Sequence, residues 1–297
     1  MTSADQDGKR SPGGRLSVIA TPLGNPADLS PRARDRLDQA DVILAEDTRS
    51  ARRLLMAAGL EAGARTIVSC FDANEGDRAG EAVAWVAAGR SVALISEAGT
   101  PLVSDPGFRV VAAVAAAGLR VEPVPGPSAI LAALVGSGLS PDRFAFLGFP
   151  PRKRGARRRL FESVRGLPFT LVFYESPLRT GETLADLADV LGPERQACVA
   201  RELTKTHEEL VRDTLAALAA RYRDDRPLGE VTLVVAGADL GATGAAWTDD
   251  EIRDEAAALL AEGASARDAA DRLAPLSGRP RREVYGLVTA LASGGRP

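Results

Sequence analysis

The chain has 297 residues, 45% of them hydrophobic and 26% charged, with a formal net charge of −3. That length exceeds one ordinary core and suits two domains with a small third, while the near-neutral charge gives no global pull toward nucleic acid. Two cysteines without CxxC spacing and a single histidine, His207, argue against a disulfide framework and a histidine-based zinc site, and no apolar run approaches the ~20 residues that span a bilayer.

Residues 1–14 are polar, lack the apolar core of a signal peptide and read as the disordered tail of a cytoplasmic protein. Leu16–Ala20 is a strand, followed by the loop Thr21–Pro26. Ser30-Pro31 then opens a helix, with serine as N-cap and proline in the first position. Val42–Ala45 is the next strand, Glu46–Arg49 its loop, and Ser50–Ala58 a helix closed by Gly59. Further strands are expected at Thr66–Phe71, Val92–Ile95 and Arg120–Pro123, with Asp77–Ala88 the clearest helix between them. Pro125-Gly126-Pro127-Ser128 caps an apolar helix, Ala129–Val135, and residues 136–142 form the best linker. Strands at Phe144–Phe149, Phe169–Tyr174, Ala197–Arg201 and Val231–Ala236 follow, with helices near Ala156–Val164, Thr180–Leu191 and Thr214–Tyr222. A second linker, Gly241–Ala245, leads to helices at Asp249–Glu262, Ser265–Leu273 and Arg281–Ala292, a helix-turn-helix-like appendage. In the first half, up to Pro123, strands alternating with helices predict a mainly parallel sheet covered on both faces. The expected domains are 15–137, 142–240 and 247–297.

Ser96–Gly107, SEAGTPLVSDPG, is too long and too rich in Gly and Pro for a plain connector between a strand and a helix. Such a loop at the carboxyl end of a buried strand is where open α/β sheets bind ligands. Ser96, Thr100 and Asp105 supply polar groups around it. Asp105 has three readings: facing a cofactor, facing RNA, or holding the turn. Neither GxGxxG nor GxxxxGK[ST] is present, which disfavours a dehydrogenase or a P-loop enzyme.

The ordered segments ATPLGNPADLSPRA, AEDTRSARRLL, SEAGTPLVSDPG, PGPSA, GFPPRKRGARRR, FYESPLR, RELTKTHEE and GEVTLVV carry a resemblance that runs from the first strand to the end of the second domain. The chain resembles the tetrapyrrole-methylase superfamily and, within it, the small-subunit ribosomal RNA methyltransferase I family, the cytidine 2′-O-methyltransferases. The resemblance implies an α/β, two-domain tetrapyrrole-methylase-like fold with the cofactor cleft between the domains, plus a small C-terminal helical domain. It also implies S-adenosyl-L-methionine as cofactor, small-subunit ribosomal RNA or the assembled small subunit as partner, no metal, and a homodimer. Carried over by position, Leu23, Ala98, Gly99, Thr100 and Val103 line the cofactor. Ser128 and Ala129 match a contacting pair, Glu175 and Leu203 match second-domain contacts, and Thr232 is a weaker candidate. Thr100 stands where tetrapyrrole-type relatives place an aspartate, so the contact there must differ.

A ribose hydroxyl is a poor nucleophile until its proton is taken or shared, which makes Asp47, Glu97 and Lys205 the catalytic candidates. Asp47 follows a buried strand and competes with a plain helix-cap role, while His207 reads as a structural donor. Arg49 is placed to hold a phosphate. Arg152, Lys153, Arg154, Arg157, Arg158 and Arg159 form the densest basic segment, and like charges at a helix start oppose the macrodipole, so RNA backbone is its natural partner. Arg279, Arg281 and Arg282 make a smaller patch. The alternatives are a tetrapyrrole methyltransferase of the same fold, a non-enzymatic RNA-binding protein and, on the tail alone, a DNA-binding regulator.

Overall fold

The computed structural model describes residues 13–61, 63, 65–223, 228–238 and 247–292; the tail before residue 13 and the linker Gly241–Ala245 lie outside them. Its first sheet is wholly parallel and contains β1 (Arg15–Ile19), β2 (Val42–Ala45), β3 (Thr66–Ser69), β4 (Ser91–Ile95) and β5 (Arg120–Val124), in the order β3-β2-β4-β1-β5. The crossovers are α1 (Pro31–Asp38), α2 (Thr48–Ala57), α3 (Glu75–Ala87) and α4 (Phe108–Ala116). Successive strand residues point to opposite faces, so Ile43 and Ala45 of β2 pack with Leu37 of α1 and Leu55 of α2. Val42 and Leu44 pack on the other side with Val86 of α3 and Val110 of α4. Both faces are thus covered, and a nearly unbroken apolar strand such as VILA is the result. Ser30 caps α1 by accepting from the Ala33 N–H at 3.1 Å, with Pro31 at its first position.

After α5 (Ala129–Ser137) comes a second sheet that follows a different rule. It contains β6 (Phe144–Phe146), β7 (Thr170–Glu175), β8 (Gln196–Arg201), β9 (Glu209–Thr214) and β10 (Val231–Val235), in the order β6-β7-β10-β8-β9. Only β6–β7 is parallel. The parallel sheet expected of the first half is found there, while the second sheet is mostly antiparallel. β9, which is not among the strands expected from the sequence, is an edge strand whose charged residues blunt the edge and mask its periodicity. Helices α6 (Arg154–Val164), α7 (Thr180–Leu191) and α8 (Leu215–Arg221) cover one face through Phe161, Leu184, Leu187 and Leu218. The other face is covered by α5, whose Ile130, Ala133 and Leu134 pack with Val172, Cys198, Ala200 and Val234. Although α5 falls within the span expected for the first domain, its packing partners are the strands of the second sheet.

Two predicted strands are shorter than expected. β3 stops at Ser69 because the Asn74 side chain takes the Phe71 N–H at 2.8 Å and turns the chain. β6 stops at Phe146, two residues before Gly148 at φ 64°. Cys70 and Cys198 are free and buried, and burial pushes both thiols up to about 11. The C-terminal unit is α9 (Asp249–Ala261), α10 (Ala266–Ser277) and α11 (Arg281–Ala292), packed around Ile252, Leu273, Val284 and Val288. A capping box between Thr248 and Glu251 starts it. No helix among the described residues is long and apolar enough to cross a membrane.

Candidate functional site

Because β1 lies between β4 and β5, the loops that leave these three strands emerge side by side. Thr21 N–H donates to Gly99 O at 2.8 Å and Gly99 N–H returns to Thr21 O at 3.1 Å, joining the first two loops. The Thr100 hydroxyl donates to Pro127 O at 2.9 Å and joins the third. Threonine at that position thus ties two loops together through its hydroxyl. Gly99 sits at φ 78°, and a Cβ there would stand 3.1 Å from Leu23 Cδ2, so only glycine lets this backbone run so close to the cavity wall.

The same loop carries strain. Leu102 and Ser104 hold φ values of 75° and 71°, a left-handed conformation that costs non-glycine residues roughly 1–2 kcal/mol each. Its far end is fixed by a group outside it: the buried Glu75 carboxylate, in the first turn of α3, accepts from Gly107 N–H at 2.8 Å and Arg109 N–H at 2.7 Å. It supplies to α4 the cap that Gly107 cannot. Sequence reasoning missed Glu75; its one signal was an acidic residue at a helix start, which any exposed helix also shows.

The second sheet provides the facing wall. Glu175, at the end of β7 and 2% exposed, accepts from Ser176 N–H, Arg179 and the Thr183 hydroxyl at 2.8, 3.0 and 2.6 Å. Thr232 is buried in β10, paired with Tyr174 and Ala200. Between β8 and β9 the chain bends through Glu202 and Thr204 at φ 51° and 68°. That bend reaches across to the first loop, where Thr204 Oγ1 accepts from Asn25 N–H at 3.2 Å. Lys205 lies over Gly24, where a Cβ would come within 2.2 Å of Lys205 Cγ. Lys205 Nζ donates to Glu202 at 2.9 Å and to Glu230 at 3.2 Å.

Between the walls is a cavity of about 400 Å³. Leu23, Glu97, Ala98, Gly99, Thr100, Val103, Ser128, Ala129, Glu175 and Thr232 all line it. Ser128 holds the N-cap position of α5, yet its hydroxyl makes no capping bond, so a cap role does not account for it. Leu203 is not in the lining; it joins Leu23 in the apolar cluster on the α5 face of the second sheet. Glu46, Asp105, Phe149 and Tyr174 also face the cavity. Phe149, 55% exposed with its ring centroid 5.5 Å from that of Tyr174, was read as the end of a strand and not as a functional residue.

Electrostatics separate the acidic candidates. Burial pushes the Asp105 carboxyl up to about 6, against the hydrogen bond from Ser96 and with the help of the Glu46 and Glu97 charges. Glu46 is raised by burial and then by Glu97, Asp72 and Asp47. The Tyr174 phenol is pushed up to about 12 by burial, then by Asp105 and Glu230. Asp47 goes the other way: it is exposed, its Oδ1 accepts from the N–H groups of Arg49 and Ser50 at 2.6 and 3.3 Å, and these bonds hold it below the usual carboxylate range. It caps α2, which makes it a weaker proton acceptor than expected. Lys205 is a second correction: burial opposes its charge, but Glu202 and Glu230 outweigh burial and hold it protonated above the ordinary lysine value.

The basic segment is also corrected. Arg157 is buried, with Nε and Nη2 on Asp186 Oδ2 at 2.8 and 2.6 Å, and cannot meet RNA. Arg154 bonds the other Asp186 oxygen at 2.9 Å, and Arg158 bonds Asp189 at 2.8 Å. These arginines fasten α6 to α7. Arg152, Lys153 and Arg159 are exposed and have no ion pair among the described residues.

The sequence profile of the Tetrapyrrole (Corrin/Porphyrin) Methylases matches residues 15–219, and together with the two-sheet fold and its cavity this defines the class. A Synechocystis sp. protein named ribosomal RNA small subunit methyltransferase I is 41% identical over 282 residues, covering 95% of this chain and 100% of its own length. The Mycobacterium tuberculosis protein of that name is 48% identical over 225 residues, 76% of this chain and 78% of its own. The chain belongs to the ribosomal RNA small subunit methyltransferase I family of tetrapyrrole methylases. The crystal structure of uroporphyrin-III C-methyl transferase from Thermus thermophilus complexed with S-adenyl homocysteine shares the fold, with a TM-score of 0.53 at 22% identity over 74% of this chain and 97% of that one.

Proposed function

We propose that the chain methylates a cytidine ribose 2′-oxygen of small-subunit ribosomal RNA, with S-adenosyl-L-methionine as donor. The observation that carries this reading is the cavity at the seam of the two sheets, with Asp105 in its wall. When bound, S-adenosyl-L-methionine supplies an electrophilic methyl carbon on a positively charged sulfur. The residues present fit such a group: Leu23, Val103 and Ala129 offer apolar wall, Glu97 and Asp105 a negative field, and Gly99 a stretch of backbone with no side chain in the way. Ser128, Thr232 and Glu175 supply polar atoms on the opposite side.

Asp105 takes the hydroxyl proton as the oxygen attacks, since a carboxyl near 6 is ionised at neutral pH and still a usable acceptor. Glu97, tied to Ser50 by a 3.2 Å hydrogen bond, orients the ribose beside it. Asp47 and Lys205 act on structure, as cap and latch. Phe149 offers a ring face for the target base, as single-stranded RNA recognition requires. Arg49, Arg152, Lys153 and Arg159 hold phosphates on either side. We place the protein in the cytoplasm as a homodimer, a state supported by Leu131 and Val135, which lie exposed one turn apart on α5.

Incubation with methyl-labelled S-adenosyl-L-methionine tests the reading. Label is expected in small-subunit RNA or the assembled subunit and not in uroporphyrinogen; label in the tetrapyrrole alone would return the chain to the alternative activity.

A further inference from the structure

The geometry assigns a second RNA-contacting surface: we propose that the outer face of α2, formed by Arg49, Arg52, Arg53 and Met56, docks the single-stranded RNA backbone that leads away from the target ribose. The proposal rests on the RNA-methylation reading and adds Arg52, Arg53 and Met56 to it.

Helical periodicity puts positions 49, 52, 53 and 56 within about 100° of one another. Ala51 and Leu55, which are buried, mark the opposite face. All four side chains of the stripe are exposed, Met56 at 75%. The stripe begins at the cavity, because Ser50 donates to the lining residue Glu97 and Arg53 Nη2 donates to Ser50 Oγ at 2.8 Å. From Arg49 to Met56 it extends about 10 Å outward along the helix axis.

The stripe is not neutralised. Arg154, Arg157 and Arg158 of α6 are fastened by Asp186 and Asp189, whereas Arg49, Arg52 and Arg53, like Arg152, Lys153 and Arg159, make no ion pair within 4.0 Å among the described residues. Arg52 reaches only the backbone carbonyl of Thr48, at 3.5 Å. Asp47 spends its Oδ1 on the helix N–H groups and feels Arg49 and Arg53 only as charges. Like charges three and four residues apart destabilise a helix, and cations in its first turns oppose the macrodipole. Within the folded chain the Asp47 charge and the Arg53–Ser50 hydrogen bond offset part of that cost. A phosphate backbone would offset the rest: each neutralised phosphate releases counterions, and the exposed thioether of Met56 adds an adaptable apolar contact at the end of the path.

The test compares wild type with Arg52→Gln/Arg53→Gln and with Arg267→Gln/Arg272→Gln, an equal charge loss on the exposed surface of α10. It uses a small-subunit RNA fragment, S-adenosylhomocysteine titration and steady-state methylation. Removing two phosphate contacts should flatten the slope of log affinity against log salt by about 1.4. It should also raise KM for RNA about tenfold near physiological salt, with kcat within twofold and S-adenosylhomocysteine affinity unchanged. Arg52→Lys/Arg53→Lys should restore the slope. An unchanged slope and KM, an equal effect from the α10 pair, or lost S-adenosylhomocysteine affinity would each overturn the docking surface. Wild type that binds RNA through this stripe without methylating it would instead defeat the activity and leave the surface standing.

Discussion

Asp105 is the residue on which chemistry and stability pull in opposite directions. Its folded-state carboxyl, near 6, binds a proton more tightly than the same group in the unfolded chain, near 3.9. Stability is therefore full below the unfolded value and declines as pH rises through the folded one. Asp105→Asn is expected to be about 1 kcal/mol more stable than wild type at pH 7, the full shift being discounted for solvent screening, and equal to it near pH 3.5 in urea unfolding. The same variant should lose methylation at least 100-fold, and wild-type kcat/KM should rise with pH through about 6. Much of the cavity wall was legible residue by residue, through the positions carried over from the family resemblance. The roles of charged residues were not. Asp47, Lys205 and Arg157 each carry the right chemistry for an active site, but only tertiary partners decide whether that chemistry is free, and Asp186 lies 29 residues from the arginine it neutralises.

At the scale of elements, the loop Ser96–Gly107 holds its shape because other elements over-determine it. Thr21, Pro127 and Glu75 grip it from three directions, which offsets the strain at Leu102 and Ser104. Glu75→Ala leaves the N–H groups of Gly107 and Arg109 without their acceptor. We expect it to cost about 2–3 kcal/mol in urea unfolding and to weaken S-adenosylhomocysteine binding roughly tenfold by calorimetry, with Glu75→Gln recovering most of both. Equal binding by Glu75→Ala and wild type would mean that the loop keeps its shape without this anchor. The loop itself was conspicuous in sequence through its length and its Gly/Pro content. Its anchor was invisible because nothing local distinguishes an acidic residue that caps its neighbour's helix from one that faces solvent. β9 escaped notice for a related reason: at a sheet edge, Arg212 and Asp213 interrupt the period-two pattern.

Taken whole, the molecule is two sheets of unlike construction closed over one cavity. The first is parallel, and the apolar runs of its inner strands β1, β2 and β4 make it readable. The second is mostly antiparallel, and its topology depends on a hairpin whose turn, through Glu202 and Thr204, also reaches the loop after β1. That turn joins loops far apart in the chain, so no local pattern could announce it, although the RELTKT segment marked the place through family resemblance. Alkaline hydrolysis of small-subunit RNA after reaction tests methyl transfer to a ribose 2′-oxygen most directly. A 2′-O-methyl group removes the hydroxyl that attacks the adjacent phosphodiester, so one labelled, alkali-resistant dinucleotide beginning with cytidine is expected, absent with Asp105→Asn. Label released as a base-methylated mononucleotide, or no label in RNA at all, would contradict it.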